Sequence, residues 1–104
     1  MRSVWQFPIP TGQGLLGTVA ETTFEVNVPN GAKFLTINRN GKRESALYFE
    51  VDPNEPVLTR RFAWIPTGGP VPDGATYLGT FDVETHSAVA HWMDARLLFH
   101  VYEL

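Results

Sequence analysis

The sequence predicts an all-β, mainly antiparallel fold, either a small meander sandwich or a partly open barrel of about seven short strands. Apolar and polar residues alternate in several segments, and turn-forming Asn, Gly and Pro residues separate those segments. The chain also contains seven Phe, three Tyr and three Trp residues, which strands favour. Its 104 residues fit a single domain spanning residues 1–104.

The first half of the chain predicts four strands. Residues 5–9 alternate, and their flanking prolines restrict this strand to a sheet edge. Residues 24–28 alternate strictly, as a half-buried strand does. Residues 34–39 and 44–51 are separated by Asn40-Gly41, and both of these residues tolerate positive φ. We therefore expect a type I′ hairpin there.

The second half predicts three more strands and one helix. Residues 57–65 and 77–83 have strand character, and residues 97–102 are apolar on both faces apart from His100, which indicates a central strand. Residues 85–95 differ, because Val89, Trp92 and Met93 lie at helical spacing and Ser87 can cap the helix. We expect a short helix near residues 86–95.

Composition excludes several functional classes. The chain has no cysteine, which removes disulfides, thiolate chemistry and cysteine-ligated metals. The net charge of −3 disfavours nucleic acid as a partner. The N-terminal residues lack an apolar signal region, and no apolar run is long enough for a membrane helix. We expect a cytoplasmic protein without a cofactor.

The segment from Trp64 to Phe81 contains four glycines and three prolines. A phosphate-binding loop would need converging N–H groups, a lysine and a following helix. This segment instead leads into a strand, contains no lysine and loses donors to its prolines. We interpret it as a rigid corner that can present a fixed surface to a partner.

The sequence shows no catalytic or metal-binding pattern. His86, His91 and Asp94 do not have the spacing of a helical zinc motif, and none of the three serines lies in G-x-S-x-G. Arg60-Arg61 must place one side chain toward the inner face or at an edge. We favour edge protection or an ion pair with Glu50, Asp52 or Glu55 over a binding anchor beside Trp64.

Six phrases taken in order carry a family resemblance. They are V-W-Q-F-P at 4–8, V-P-N-G-A-K-F-L-T-I at 28–37, V-D-P-N-E-P-V-L-T-R-R-F at 51–62, T-G-G-P-V-P-D at 67–73, Y-L-G-T-F at 77–81 and F-H-V-Y-E at 99–103. Together they resemble a group of small, uncharacterised proteins encoded by bacteriophages and prophages. The corner of that group commonly reads T-G-H-P, whereas this chain has Gly69 in place of the histidine, so no role of that histidine carries over. The resemblance implies a phage origin and the cytoplasm of an infected bacterium, but no activity.

We therefore expect a non-enzymatic interaction module that binds a host protein, such as an inhibitor of a defence system of the CRISPR type. The alternatives are a structural or accessory virion protein and a small-molecule sponge for a nucleotide signal, and self-association stays open. The expected interaction surface joins the corner to the 85–95 segment. Its candidate residues are Arg61, Trp64, Pro66, Gly68, Gly69, Pro70, Pro72, Tyr77, His86, His91 and Trp92.

Overall fold

The computed structural model describes residues 1–10, 23–84 and 96–104, with side chains omitted at 83, 84, 96 and 97. These residues form seven strands: β1 (Ser3–Pro8), β2 (Thr23–Pro29), β3 (Lys33–Arg39), β4 (Ser45–Val51), β5 (Val57–Pro66), β6 (Thr76–Glu84) and β7 (Arg96–Glu103). The prediction of about seven strands is confirmed. The helix expected near 86–95 lies outside the described residues.

The strands form two antiparallel sheets, which we call sheet A and sheet B. Sheet A has the order β1-β4-β3, and sheet B has the order β2-β5-β7-β6. The all-β prediction is confirmed, and the two sheets do not close into a barrel. The order is not that of a simple meander, because among neighbouring strands only the pairs β3–β4 and β6–β7 are consecutive in the chain. As predicted, β1 is an edge strand and β7 is a central one.

The core lies between the two sheets and is largely aromatic. Phe49 of sheet A and Phe62 of sheet B are both fully buried, and their ring centroids are 6.1 Å apart. Phe24 stacks on Phe62 at 5.6 Å, and Trp64 meets Phe99 edge-on at 4.7 Å. This arrangement follows from the alternation of the strands, because every second residue of a strand points toward the facing sheet.

Arg60 fastens the two sheets together. Its side chain points inward, because its cross-strand neighbour is the buried Val26. The guanidinium donates two hydrogen bonds of 2.7 Å to the Glu103 carboxylate and one of 2.8 Å to the Ala32 carbonyl. It also lies 5.1 Å from the centre of the Phe49 ring. We call this arrangement the Arg60 clasp. The expected ion pair to Glu50, Asp52 or Glu55 is wrong for Arg60, because the inward side chain meets the end of β7 instead.

The turn after β3 differs from the predicted type I′ hairpin. Asn40 N–H donates to Glu44 O at 2.9 Å, and Arg43 N–H donates to Asn40 O at 3.0 Å. The residue with positive φ is Arg43, at 62°, and not Gly41. The Asn40 side chain explains the change, because its Oδ1 accepts from the N–H groups of Lys42 and Glu44. The result is a three-residue loop with a left-handed last residue.

Candidate interaction surface

The corner between β5 and β6 contains two tight turns. Gly69 N–H donates to Pro66 O at 2.8 Å, and Gly68 between them has a φ of 92°. The second turn closes between Pro72 and Ala75, with Gly74 at a φ of 77°. Both glycines therefore hold a left-handed backbone that other residues rarely adopt. The prediction of a Pro/Gly corner is confirmed.

Gly69 is restricted by close packing, since its own φ is not positive. A Cβ added to Gly69 would lie 2.9 Å from Ile65 Cγ2 and 3.1 Å from Pro66 O. Ile65 is 7% exposed although it lies on the outer face of sheet B, and the corner folds back against it. A histidine at position 69, as in T-G-H-P, would require this contact to shift.

A chain of hydrogen bonds connects this corner to the outer face of β6 and β7. Tyr77 OH lies 2.6 Å from Thr80 Oγ1, which lies 2.8 Å from His100 Nδ1. On the other side of the ring, His100 Nε2 lies 2.9 Å from Thr67 Oγ1. Thr80 and His100 are directly paired across the two strands, so the sheet register itself brings them together. We call Thr67, Tyr77, Thr80, Leu98, His100 and Tyr102 the tyrosine–histidine surface.

One arrangement of protons satisfies this chain with a neutral imidazole. Thr67 Oγ1 lies 3.5 Å from the Leu98 carbonyl and can donate to it, which leaves the Thr67 oxygen to accept from His100 Nε2–H. His100 Nδ1 then accepts from the Thr80 hydroxyl, and Thr80 in turn accepts from Tyr77 OH. Each polar group therefore holds its neighbour in a fixed orientation.

The surface is exposed and partly apolar. Tyr77 is 55% exposed and Leu98 is 48% exposed. The Tyr77 and Tyr102 rings contact each other, with centroids 5.4 Å apart. Tyrosine supplies contact area at low conformational-entropy cost, and its hydroxyl supplies a hydrogen bond. This combination of an exposed aromatic pair and fixed polar groups is suited to recognition.

The same geometry has limited catalytic potential. The Thr80 hydroxyl and the His100 imidazole are within hydrogen-bond distance, as a nucleophilic hydroxyl and its general base are in many enzymes. In such sites a third group orients the base, and it is commonly a carboxylate. Here the second imidazole nitrogen meets the Thr67 hydroxyl, and Thr80 is exposed on the face of a sheet. The arrangement therefore holds side chains in place better than it activates a nucleophile.

The structure sorts the residues predicted from sequence into four groups, the last of which is Trp64 alone. Tyr77 belongs to the tyrosine–histidine surface, and Pro66, Gly68, Gly69, Pro70 and Pro72 form the adjoining corner. Arg61 is exposed, and its cross-strand neighbour in β2 is Glu25. His86, His91 and Trp92 lie outside the described residues.

Trp64 was predicted to lie on the interaction surface, but the structure places it in the core. Its side chain is only 2% exposed and packs edge-on against Phe99, so it belongs to the core and offers no surface for a partner. The reason is the alternation of β5, in which Phe62 and Trp64 point inward, whereas Arg61 faces outward.

Five residues of the surface were not predicted from the sequence: Thr67, Thr80, Leu98, His100 and Tyr102. One signal was present, because His100 is the polar interruption in an otherwise apolar strand. Its partners could not be assigned without the β6–β7 register, which contains an irregularity between Tyr77 and Gly79.

The described part of the chain contains neither a metal-binding cluster nor a membrane-spanning helix. No group of three or more His, Asp or Glu residues there is placed to hold a metal ion. No helix among the described residues is long and apolar enough to cross a bilayer.

A family model described as a domain of unknown function, DUF7352, matches residues 1–104. The chain belongs to this family. No curated protein and no solved structure matches the chain. Family membership therefore brings no known activity, and the function has to be argued from the surface itself.

Proposed function

We propose that this DUF7352 protein is a non-enzymatic interaction module and that the tyrosine–histidine surface is its binding face. The observation that carries the proposal is the hydrogen-bonded chain from Tyr77 through Thr80 and His100 to Thr67. It ties the corner and two strands into one exposed surface whose side chains are already oriented. Preorganised side chains lose less entropy on binding, which favours affinity.

The shape of the surface favours a protein over a small ligand. Small molecules bind in concave, mostly apolar pockets, whereas the face of a sheet matches a second protein surface. A recess of about 280 Å³ lies elsewhere, at the end of β4. It is lined by polar residues that include Arg2, Glu50, Asp52 and Glu55. Three carboxylates disfavour an anionic nucleotide, which counts against the sponge alternative.

The biological setting rests on the resemblance to phage and prophage proteins. We propose that the chain is phage-encoded and binds a host protein in the bacterial cytoplasm. An inhibitor of a defence system such as a CRISPR nuclease is the form of this activity that we favour. An acidic protein of 104 residues with a net charge of −3 is compatible with a basic or mixed protein partner.

The proposal is tested by capturing partners of the tagged protein from a bacterial host lysate and identifying them by mass spectrometry. We expect one stoichiometric host protein that is lost with Tyr77→Ala. The matched control is Val4→Ala, because Val4 is 61% exposed on the outer face of the opposite sheet. Loss of the partner with both variants, or with neither, would contradict the assignment of the binding face.

A second pair of variants tests the role of the hydrogen-bonded chain. Thr80→Val keeps the size of the side chain but removes the hydroxyl that contacts both Tyr77 and His100. We expect weaker capture with this variant and recovery with Thr80→Ser, which restores the hydroxyl. Equal capture by both variants would show that the hydrogen bonds do not orient the binding face.

A further inference from the structure

The edge strands on the two sides of the sandwich differ in how they are protected from pairing with another strand. On one side, β3 and β6 both carry an irregularity in register, at Phe34/Thr36 and at Tyr77/Gly79. These two strands also pack together, since a Cβ on Gly79 would lie 3.0 Å from Ile37 Cδ1. Bulges and mutual packing are two of the ways in which proteins protect sheet edges.

On the other side, neither protection is seen for β1 and β2 among the residues that the structure describes. Both strands are in regular register with their single neighbours in the described part of the chain. Neither strand contains a lysine, and each has a proline only at its last position. A regular, unprotected edge is a template for pairing with another strand.

The hydrogen-bond pattern shows which groups of β2 face outward. Asn30 N–H, just beyond β2, donates to Pro56 O on the β5 side at 2.7 Å. Because inward and outward groups alternate along an antiparallel strand, Thr23, Glu25 and Asn27 direct their N–H and C=O groups toward the free edge. The same reasoning for β1, from the Ile9 N–H bond to Ser45 O, leaves Val4 and Gln6 with outward N–H groups. Within the strands, β2 therefore offers three such donors and β1 two.

We propose that β2 pairs antiparallel with β2 of a second copy of this chain, around a two-fold axis at Val26. This register places Glu25 opposite Asn27 of the other copy, twice, and each pair can exchange two backbone hydrogen bonds. It also places Phe24 opposite Val28, so the apolar inner faces of the two B sheets become continuous.

Charge and the position of Pro29 favour this register over the two registers whose axis lies one residue away. Shifting the pairing to centre on Glu25 would place the two Glu25 carboxylates opposite each other, which is destabilising. Shifting it to centre on Asn27 would place Glu25 opposite Pro29, which has no N–H to donate, and would leave Asn27 with Asn27 as the one complete pair; in the proposed register Pro29 faces only Thr23 at the end of the strand, and both Glu25–Asn27 pairs are complete. In the proposed register, the Asn27 Oδ1 accepts from Thr59 Oγ1 at 2.8 Å, so its amide N–H group can donate to the facing Glu25.

The first test compares proline variants at the two free edges. Glu25→Pro removes an outward N–H from β2 without removing a hydrogen bond to β5, and Gln6→Pro does the same for β1 against β4. Sedimentation velocity over a concentration series separates a monomer of 11.6 kDa from a dimer of twice that mass. We expect a wild-type dimer that Glu25→Pro dissociates and Gln6→Pro does not. A protein that stays monomeric at the highest concentration it tolerates, or a dimer that survives Glu25→Pro, would overturn the proposal.

A second comparison keeps the backbone intact. Asn27→Glu places like charges opposite Glu25 of the other copy, and Asn27→Lys places opposite charges there. Both variants replace the Asn27 amide with a long charged side chain, so the main difference between them is the sign of the charge at position 27. We expect the dimer dissociation constant to differ by about tenfold between them at low salt, with the lysine variant tighter. Equal constants would exclude this register.

Amide hydrogen exchange locates the interface directly. We expect the N–H groups of Glu25 and Asn27 to be protected in the dimer and those of Val4 and Gln6 to exchange fast. Protection of Glu25 and Asn27 in a monomeric protein would overturn the proposal, because the edge would then be covered within one chain.

Discussion

Replacing Arg60 tests whether the clasp holds the two sheets together. Arg60→Ala removes two hydrogen bonds to Glu103, one to Ala32 and the cation–π contact with Phe49. Breaking a buried ion pair costs about 3–5 kcal/mol, and a cation–π contact contributes about 0.5–2 kcal/mol. The side chains of Arg60 and Glu103 are 24% and 25% exposed, so water compensates part of this loss. We expect the free energy of unfolding to fall by about 3 kcal/mol.

The neighbouring arginine provides the control. Arg61 is exposed, and Arg61→Ala should change the free energy of unfolding by less than about 0.5 kcal/mol. Urea unfolding can be followed through the fluorescence of the buried Trp64. Arg60→Lys keeps the charge but loses the two-pronged contact, so we expect an intermediate loss of about 1–2 kcal/mol. Equal effects of Arg60→Ala and Arg61→Ala would refute the clasp.

Three further predictions concern the hairpin after β3, the contact of Gly79 with Ile37, and Trp64. Gly41→Ala should raise the free energy of unfolding by about 0.5 kcal/mol, because Gly41 does not have a positive φ. Arg43→Gly should raise it by about 1 kcal/mol, because glycine adopts the left-handed conformation of this position without strain. If Gly41→Ala instead lowered the free energy of unfolding in urea, the type I′ assignment would be restored. Gly79→Ala should lower the free energy of unfolding by about 1 kcal/mol, and Ile37→Val should reduce that loss in a double-mutant cycle, since it removes the Cδ1 that the new Cβ would meet. Trp64→Ala removes the fluorescent probe, so its urea unfolding is followed by circular dichroism; it should lower the free energy of unfolding by about 3–5 kcal/mol, and a loss below about 1 kcal/mol would contradict its place in the core.

Much of the fold could be predicted because strand alternation is a local property. The buried positions of β2 follow directly from the pattern of residues 24–28, and the flanking prolines correctly placed β1 at an edge. Strand order is not local, and the sequence did not predict the pairing of β5 with both β2 and β7. Trp64 was misassigned for a related reason. Four consecutive residues of β5, Phe62–Ile65, are buried on both faces, so alternation no longer separates core from surface there.

The candidate surface was only partly predictable. The corner was visible because Gly and Pro mark turns in the sequence itself. The connection of that corner to His100 depends on pairing between strands that are far apart in the chain, since Thr67 and His100 are 33 residues apart. The type of the turn after β3 could not be predicted either, although its residues are close together in the sequence. Asn40-Gly41 indicated a turn, but the hydrogen bonds of the Asn40 side chain decided its type.

Titration calorimetry of the captured partner against purified variants tests directly whether the tyrosine–histidine surface is the binding face. We expect the dissociation constant of Tyr77→Ala to be at least about tenfold higher than that of the wild type, because an exposed aromatic residue at the centre of an interface contributes much of the binding energy. We expect an unchanged constant for Val4→Ala on the opposite sheet. Equal constants for the wild type and Tyr77→Ala would contradict the assignment of the tyrosine–histidine surface as the binding face.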